Sequence, residues 1–234
     1  MDVRTVLDDV AGLGPFFAVG TRPAESADPT WRPVRDLQTD PAPLRDRIAH
    51  VARTLGLGDG AAGRRVAASI AFMGYAASLL SPPYAAAVLH GTVPALTPDA
   101  LRWRPAASGP LPRWCGDPGE LPSGALADLL LDDHLAPLVD AVRALAPMSE
   151  RVLWGNAASS LAGAKRMLVA ARPAAAARAA ELAEELLATG PLAGTGELLP
   201  PAPPDRVWTF RRRTCCLYYR VPGGGLCGDC VLAP

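Results

Sequence analysis

Four of the five cysteines in the chain lie within sixteen residues near its C-terminal end. They form an adjacent pair, Cys215 and Cys216, and ten residues later a second pair, Cys227 and Cys230. Cysteine thiolates bind zinc and iron–sulfur clusters, and either kind of site commonly takes four protein ligands. The types and spacing of these residues therefore predict a metal or cluster site.

The spacing leaves three kinds of site open. Structural zinc sites usually draw their ligands from pairs separated by two or more residues, which suits Cys227 and Cys230 but not the adjacent pair. Neighbouring side chains of an extended chain point to opposite faces. A [2Fe-2S] core, with two irons and two sulfides, is wider than a single ion and accepts such neighbours more easily. We therefore favour a [2Fe-2S] cluster over zinc, and zinc over a pair of disulfides.

The N-terminal residues bear on the disulfide alternative. The segment Met1–Asp9 is acidic and amphipathic, with neither the basic start nor the apolar run of a secretory signal. Disulfides persist mainly in oxidising compartments. We expect a cytoplasmic protein whose cysteines are reduced or bound to metal.

Charge is unevenly distributed along the chain. Residues 205–234 contain five arginines and two aspartates, a net charge of +3, although the whole chain has a net charge of zero. Basic side chains near a [2Fe-2S] cluster would offset its negative charge and could steer an acidic electron donor. The neutral total argues against a nucleic-acid partner.

The cysteine segment resembles the C-terminal signature of the FhuF-type ferric-siderophore reductases. The resemblance lies in Arg-Arg-Thr-Cys-Cys (212–216), Tyr-Arg-Val-Pro (219–222) and Cys-Gly-Asp-Cys (227–230). It implies that the four cysteines bind a [2Fe-2S] cluster, and that the protein reduces iron(III) held in siderophores, often hydroxamates. Two weaker similarities lie upstream, in Trp154-Gly155-Asn156 and in the apolar stretch Ala71–Leu89.

The resemblance also suggests contacts and partners. Trp154 and Asn156 either line a siderophore pocket or support the cluster, or they are structural, with Trp154 packed in the core and Asn156 bonded in a cap or turn. Arg212 and Arg213 are candidate contacts for the substrate or the electron donor. Because the sequence has no nicotinamide or flavin fingerprint, we expect a separate donor such as a ferredoxin or a flavin reductase. Two alternatives remain. One is a siderophore-binding module without redox activity, in which zinc only holds the C-terminal segment to a helical domain. The other is a siderophore-handling protein that no longer reduces iron(III).

Apolar periodicity predicts a mainly α fold, of the α-rich α+β class, with a small extended C-terminal segment. We divide the chain into an N-terminal helical region (1–65), a helical siderophore-binding core (66–204) and a cluster-binding segment (205–234). Five helices are predicted: from the Asp40 cap to Gly56, from about Ala62 to Leu80 with an end at Pro82, over Leu135–Leu145, from Ser149, and from about Pro173 to Gly190. The segment Leu101–Pro118 is predicted to be irregular or a short hairpin, and Val207–Val221 to be extended.

The most apolar run, Val66–Leu80, has fifteen residues, fewer than the roughly twenty that span a bilayer. It therefore predicts a buried helix and no transmembrane segment, and leaves peripheral membrane contact open.

Other residue patterns predict no chemistry. The Gly-x-Gly-x-x-Gly pattern at Gly58–Gly63 follows a predicted helix, whereas a dinucleotide fingerprint follows a strand. The histidines His50, His90 and His134 are far apart and lack metal-ligand spacing. We interpret Cys115 as a buried spare thiol.

Overall fold

Two long helices, α4 (Ala61–His90) and α6 (Glu150–Ala171), pack against each other at the centre of the fold. The protein is described by a computed structural model that covers residues 1–106 and 109–233. The other α-helices are α1 (Val3–Ala11), α2 (Asp36–Thr39), α3 (Pro41–Thr54), α5 (Ala136–Leu145) and α7 (Ala176–Leu187). The predicted α-rich α+β class is confirmed.

Short strands form three small antiparallel sheets around the helices. The strands are β1 (Arg32–Pro33), β2 (Val93–Pro94), β3 (Arg102–Trp103), β4 (Arg113–Trp114), β5 (Glu120–Leu121), β6 (Gly196–Leu199) and β7 (Thr209–Arg212). Their orders are β1-β3-β4, β2-β5 and β6-β7. For the segment Leu101–Pro118, predicted to be irregular or a short hairpin, the pairing of β3 with β4 shows the hairpin, although residues 107–108 lie outside the described residues.

Local signals set the ends of several helices. The side chain of Asp40 accepts a hydrogen bond from the N–H of Ala42 at 2.9 Å, and Pro41 occupies the first turn of α3. Ser149 precedes α6 as its N-cap residue. A π-helix over Asp128–Leu135 leads into α5, and a 3₁₀ turn over Pro173–Ala175 leads into α7. These starts confirm the predicted helices in position, with boundaries shifted by a few residues.

The predicted end of the second helix at Pro82 is wrong, because α4 continues through Pro82 and Pro83 to His90. A proline inside a helix removes a backbone hydrogen bond and costs about 3 kcal/mol or more. Tertiary contacts offset that cost. The helix is buried around both prolines, and the hydroxyl of Tyr84 donates to the carbonyl of Ala179 on α7 at 2.6 Å. The hydroxyl of Ser81 donates to the carbonyl of Ala77 at 2.6 Å.

The fifteen-residue run therefore understated the length of α4. At 30 residues, α4 is long and apolar enough to cross a membrane by length and composition. In the fold, 78% of its most apolar window is buried against other parts of the protein.

One hydrophobic cluster runs through the helical part of the molecule, from Val3 in α1 to Phe210 in β7. The predicted boundary between residues 65 and 66 falls within the second turn of α4, and the three-region division stays a prediction. The extended conformation predicted for Val207–Val221 is confirmed only for β7, because Tyr218–Arg220 forms a 3₁₀ turn.

Candidate iron–sulfur site

The four C-terminal cysteines lie in a segment, residues 205–233, that we call the tail. Cys216 and Cys230 are buried, whereas Cys215 and Cys227 are partly exposed, and all four thiols are free. The thiols of Cys216 and Cys227 are neighbours, and each shifts the pKa of the other. The fold therefore brings together one cysteine from each pair, although ten residues separate the pairs in the sequence.

Two of the four sulfurs accept a hydrogen bond from the backbone N–H two residues further along the chain: Cys215 from Leu217 at 3.3 Å, and Cys230 from Leu232 at 3.4 Å. The N–H groups at the same spacing from the other two sulfurs, those of Tyr218 and Asp229, act to lower the pKa of Cys216 and of Cys227. Hydrogen bonds of this kind stabilise negative charge on sulfur and tune the potential of a cluster. The backbone around all four thiols is thus arranged for thiolate ligands.

Tight turns give the tail this backbone geometry. Leu217 has a φ of +69°, and Gly223 and Gly225 each have a φ of +72°. A Cβ on Gly224 would lie 2.9 Å from the carbonyl oxygen of Tyr218, closer than real Cβ atoms approach. Glycine is therefore favoured at Gly223 and Gly225 because of their φ, and at Gly224 because a side chain would collide with the backbone.

Arg212 places a buried positive charge beside the cysteines. Its side chain is 1% exposed, and its Nη2 donates to Oδ1 of Asn156. The pKa of Cys216 is lowered to about 6, mainly by the neighbouring thiol of Cys227 and further by the Tyr218 N–H and the charge of Arg212. Cys227, the partner in that pair, has a raised pKa.

Two donors of the Arg212 guanidinium, Nε and Nη1, have no hydrogen-bond partner among the described residues. Buried donors without partners are costly, and an anion next to them removes the cost. A [2Fe-2S] core with four thiolates has a net negative charge. The residues present therefore fit that cofactor in both the charge and the donor groups they offer.

Asn156 connects the tail to both central helices. It is fully buried on α6, and its Nδ2 donates to the backbone oxygen and to Oγ of Ser69 on α4, each at 2.9 Å. The hydroxyl of Ser69 donates in turn to the carbonyl of Cys216 at 2.8 Å. Asn156 is not among the residues that line the cavity beside Trp154, and its contacts fix the positions of Cys216 and Arg212.

Trp154 is almost fully buried, yet it also contributes to the wall of a cavity of about 530 Å³. The cavity is lined by Ala136, Val139, Asp140, Glu150, Arg151, Trp154, Pro191, Ala193, Gly194, Thr195 and Thr214. Thr214 immediately precedes Cys215. It packs so closely on α6 that a Cβ on Gly155 would collide with its hydroxyl. The cavity and the cysteines are therefore neighbours.

A buried ionic network, which the sequence patterns did not predict, holds the tail against α6. Nζ of Lys165, the only lysine in the chain, donates to Oδ1 of Asp205 at 2.8 Å and to the carbonyl of Trp208 at 2.6 Å. Arg166 donates to Oδ2 of Asp205 at 2.9 Å and to Oδ1 of Asp229 at 3.3 Å. Both carboxylates of the tail are thus bound by cations of one helix.

The network also determines the ionisation of its members. Burial would raise the pKa of Asp205, but hydrogen bonds from Arg166 and Lys165 outweigh burial and lower it. Burial lowers the pKa of Lys165, and Asp205 opposes that shift. Asp229, between Cys227 and Cys230, also accepts a hydrogen bond from Ser159. This contact ties the second cysteine pair directly to α6.

The other candidate residues lie apart from the tail cysteines or at the surface. Arg213 is exposed, in contrast to the buried Arg212 beside it. Cys115 is buried, and burial raises the pKa of its thiol. The segment Gly58–Gly63 runs from the turn after α3 into the first turn of α4, so it directly follows a helix and not a strand.

The histidines make separate contacts. Nε2 of His90 lies 3.0 Å from Asp9, and Nε2 of buried His134 lies 2.7 Å from the carbonyl oxygen of Leu96. Among residues 1–106 and 109–233, no three histidine, cysteine, aspartate or glutamate side chains are placed to hold one metal ion, and this includes the four tail cysteines.

Comparison with protein families matches two parts of the chain. The family described as ferric iron reductase FhuF-like transporter matches residues 89–207, about half of the chain. The family described as FhuF 2Fe-2S C-terminal domain matches residues 212–232. No curated protein matches the chain. The C-terminal match, which includes all four tail cysteines, indicates a [2Fe-2S] cluster as the cofactor. The family suggested by the cysteine signature is thereby confirmed, and the chain belongs to the FhuF-like ferric iron reductases.

Proposed function

We propose that this protein is a ferric-siderophore reductase and that Cys215, Cys216, Cys227 and Cys230 are the ligands of its [2Fe-2S] cluster. The observation that supports this assignment most strongly is that a backbone N–H two residues further along the chain acts on each of the four sulfurs, in two cases at hydrogen-bond distance. When bound, the cluster supplies a one-electron relay to the iron(III) of the substrate. Reduction weakens the hold of hard oxygen ligands on the iron, because iron(II) is softer and more labile.

The residues around the sulfurs would favour the reduced state of the cofactor. The N–H groups and the Arg212 guanidinium stabilise negative charge, and reduction adds one negative charge to the site. Because Arg212 is buried, water screens its charge little. We therefore assign Arg212 to the tuning of potential, while the exposed Arg213 remains a candidate for contact with a substrate or a donor.

The cavity beside Trp154 is the proposed substrate site. Its volume of about 530 Å³ lies within the usual range for small-ligand sites. Thr214 lines the cavity and precedes Cys215, so a ferric siderophore bound there would lie close to the ligands of the cluster. The indole of Trp154 supplies an apolar wall, and Asp140, Glu150 and Arg151 supply polar groups. A hydroxamate siderophore, which combines an apolar backbone with oxygen ligands, suits such a lining.

The supply of electrons and the location of the reaction complete the proposal. We assign the electrons to a separate donor, such as a ferredoxin or a flavin reductase, and place the reaction in the cytoplasm. The basic charge of residues 205–234 supports a separate, acidic donor, and the burial of most of the apolar window of α4 inside the fold supports a reaction away from the membrane.

The assay that tests this function is iron(II) release from a ferric hydroxamate siderophore, followed with an iron(II)-specific chelator under anaerobic conditions with dithionite. We expect turnover by the wild-type protein and by Cys115→Ser, the matched thiol outside the tail. Cys227→Ser is expected to lose both visible absorbance and turnover. A Cys227→Ser protein with an intact cluster and full turnover would exclude the proposed ligand set.

Substrate placement can be tested separately with Trp154→Ala. Removal of the indole wall should raise KM for the siderophore several-fold while the visible spectrum of the cluster remains unchanged. If KM stays at the wild-type value, the substrate binds elsewhere.

A further inference from the structure

Large apolar side chains are exposed around the cysteines. Tyr219, Leu226, Val231 and Leu232 are 42%, 52%, 37% and 53% exposed. Leu226 directly precedes Cys227, and Val231 directly follows Cys230. In the rest of the described chain, the exposed large hydrophobic residues are Met1, Met167 and Leu198. Apolar exposure is therefore concentrated at the cysteines, and such patches often mark interaction sites.

The charged groups on the outer face of the tail are all positive. The two acidic residues of the tail, Asp205 and Asp229, are buried and paired with Lys165 and Arg166 on α6. Three exposed arginines, Arg206, Arg213 and Arg220, make no ion pair with any described residue. Since the carboxylates point inward, the outer surface is more basic than the net charge of +3 indicates.

This outer surface is distinct from the proposed substrate cavity. The cavity takes Thr214 from the tail and no residue between 215 and 233. The apolar side chains and Arg220 all lie after Cys216. A partner on this surface and a siderophore in the cavity would therefore contact different residues, and both could be close to the cysteines at once.

We propose that Arg213, Tyr219, Arg220, Leu226, Val231 and Leu232, which we call the docking surface, bind an acidic one-electron carrier protein. This inference rests on the proposed function, because a reductase of this kind needs a donor next to its cluster. In each encounter, the redox centre of the carrier loses one electron and the cluster gains one, with no bond made or broken. The apolar side chains of the docking surface would exclude water from the gap between the cluster and the redox centre of the carrier. The basic side chains attract a partner of opposite charge.

Charge also distinguishes the carrier from a second copy of this chain. A symmetric contact between two copies would place arginines of one docking surface against arginines of the other, and like charges across an interface are unfavourable. An acidic partner meets no such repulsion.

Calorimetric titration of the holoprotein with an oxidised, acidic plant-type ferredoxin at low salt tests the proposal. This readout is an affinity and does not depend on turnover. We expect the double variant Leu226→Ser/Val231→Ser and the single variant Arg220→Glu each to weaken binding about tenfold. The matched controls Leu198→Ser and Arg64→Glu change an exposed leucine and an exposed arginine outside the tail, and should bind as the wild type does.

The visible spectrum of each variant shows whether its cluster is intact. Wild-type affinity in the docking variants with intact clusters would overturn the proposal, as would equal weakening by Arg64→Glu. A dimer that dissociates on Leu226→Ser/Val231→Ser, seen by sedimentation, would assign the surface to a second copy and overturn the carrier. A third outcome is that the wild type does not bind ferredoxin but sediments with anionic lipid vesicles, and that the docking variants do not sediment with them. This outcome would assign the docking surface to a membrane and overturn the carrier. Dithionite-driven siderophore reduction tests the proposed function independently, because it needs no carrier.

Discussion

The helical body and the cysteine tail are held together by different forces. The helices α4 and α6 pack against each other, and most of their buried residues are small or aliphatic. The tail adds Trp208 and Phe210 to that core, but the residues that carry its cysteines are fixed by buried polar groups on α4 and α6. The body is therefore stabilised mainly by apolar burial, and the position of the cysteines mainly by directional contacts.

This difference matters for the chemistry of the site. Apolar packing is roughly proportional to buried area and tolerates small shifts, whereas hydrogen bonds and ion pairs fix distances and angles. Ligands of a cluster must be held in a defined geometry, so directional contacts suit them. Such contacts are also vulnerable, because loss of one partner leaves another buried polar group unsatisfied.

The largest loss of stability among these predictions is expected from Lys165→Met, which breaks polar contacts that hold the tail. This variant leaves the carboxylate of Asp205 buried with Arg166 as its only cationic partner, and breaking a buried pair costs about 3–5 kcal/mol. We expect urea unfolding to show a loss of that size, together with faster release of the cluster. Arg178→Met is the control, since it breaks an exposed pair with Glu181 that contributes at most about 1 kcal/mol. Equal losses in both variants would show that the network does not hold the tail.

Substitution of two glycines of α6 by alanine should distinguish the contact with the tail from the rest of the helix. The change in the free energy of unfolding is expected to have opposite signs at the two positions. Gly155→Ala introduces a Cβ that collides with Thr214 of the tail, and overpacking of this kind costs about 1–3 kcal/mol. Gly163→Ala adds a Cβ that meets no atom within 4 Å apart from the adjacent backbone of its own helix, and should stabilise the helix by about 0.5–1 kcal/mol. Thermal unfolding measures both. Stabilisation by Gly155→Ala would contradict the close packing of the tail on α6.

A smaller effect is expected from Arg212→Gln, which removes the buried charge but keeps a donor near Asn156. Loss of a positive charge beside the sulfurs should disfavour the reduced state and lower the cluster potential by about 60 mV, a tenfold change for one electron. Arg213→Gln, at the exposed neighbour, should shift the potential much less because water screens its charge. Equal shifts in a redox titration would show that burial of Arg212 has no electrostatic consequence.

Local signals in the sequence predicted much of the body and the identity of the cysteines. Asp40 and Pro41 mark the start of α3 through a cap whose partner is two residues away. The cysteine pairs could be recognised by residue type and spacing alone. By contrast, the continuation of α4 past Pro82 depends on contacts such as that between Tyr84 and Ala179, which are 95 residues apart.

The polar network was missed for the same reason. Lys165 appears in the sequence as a single lysine among many arginines, and Asp205 is 40 residues away. One signal could have revealed the burial of Arg212. Side chains alternate along an extended strand, so Arg212 shares a face with Trp208 and Phe210, which are both buried. That pattern separates Arg212 from Arg213.

The most direct test of the central claim, that the tail holds a [2Fe-2S] cluster, is an anaerobic absorption and EPR spectrum of the purified protein before and after dithionite. We expect visible bands that bleach on reduction, together with a rhombic signal from one unpaired electron per protein. A colourless, EPR-silent protein that contains one equivalent of zinc would contradict the claim.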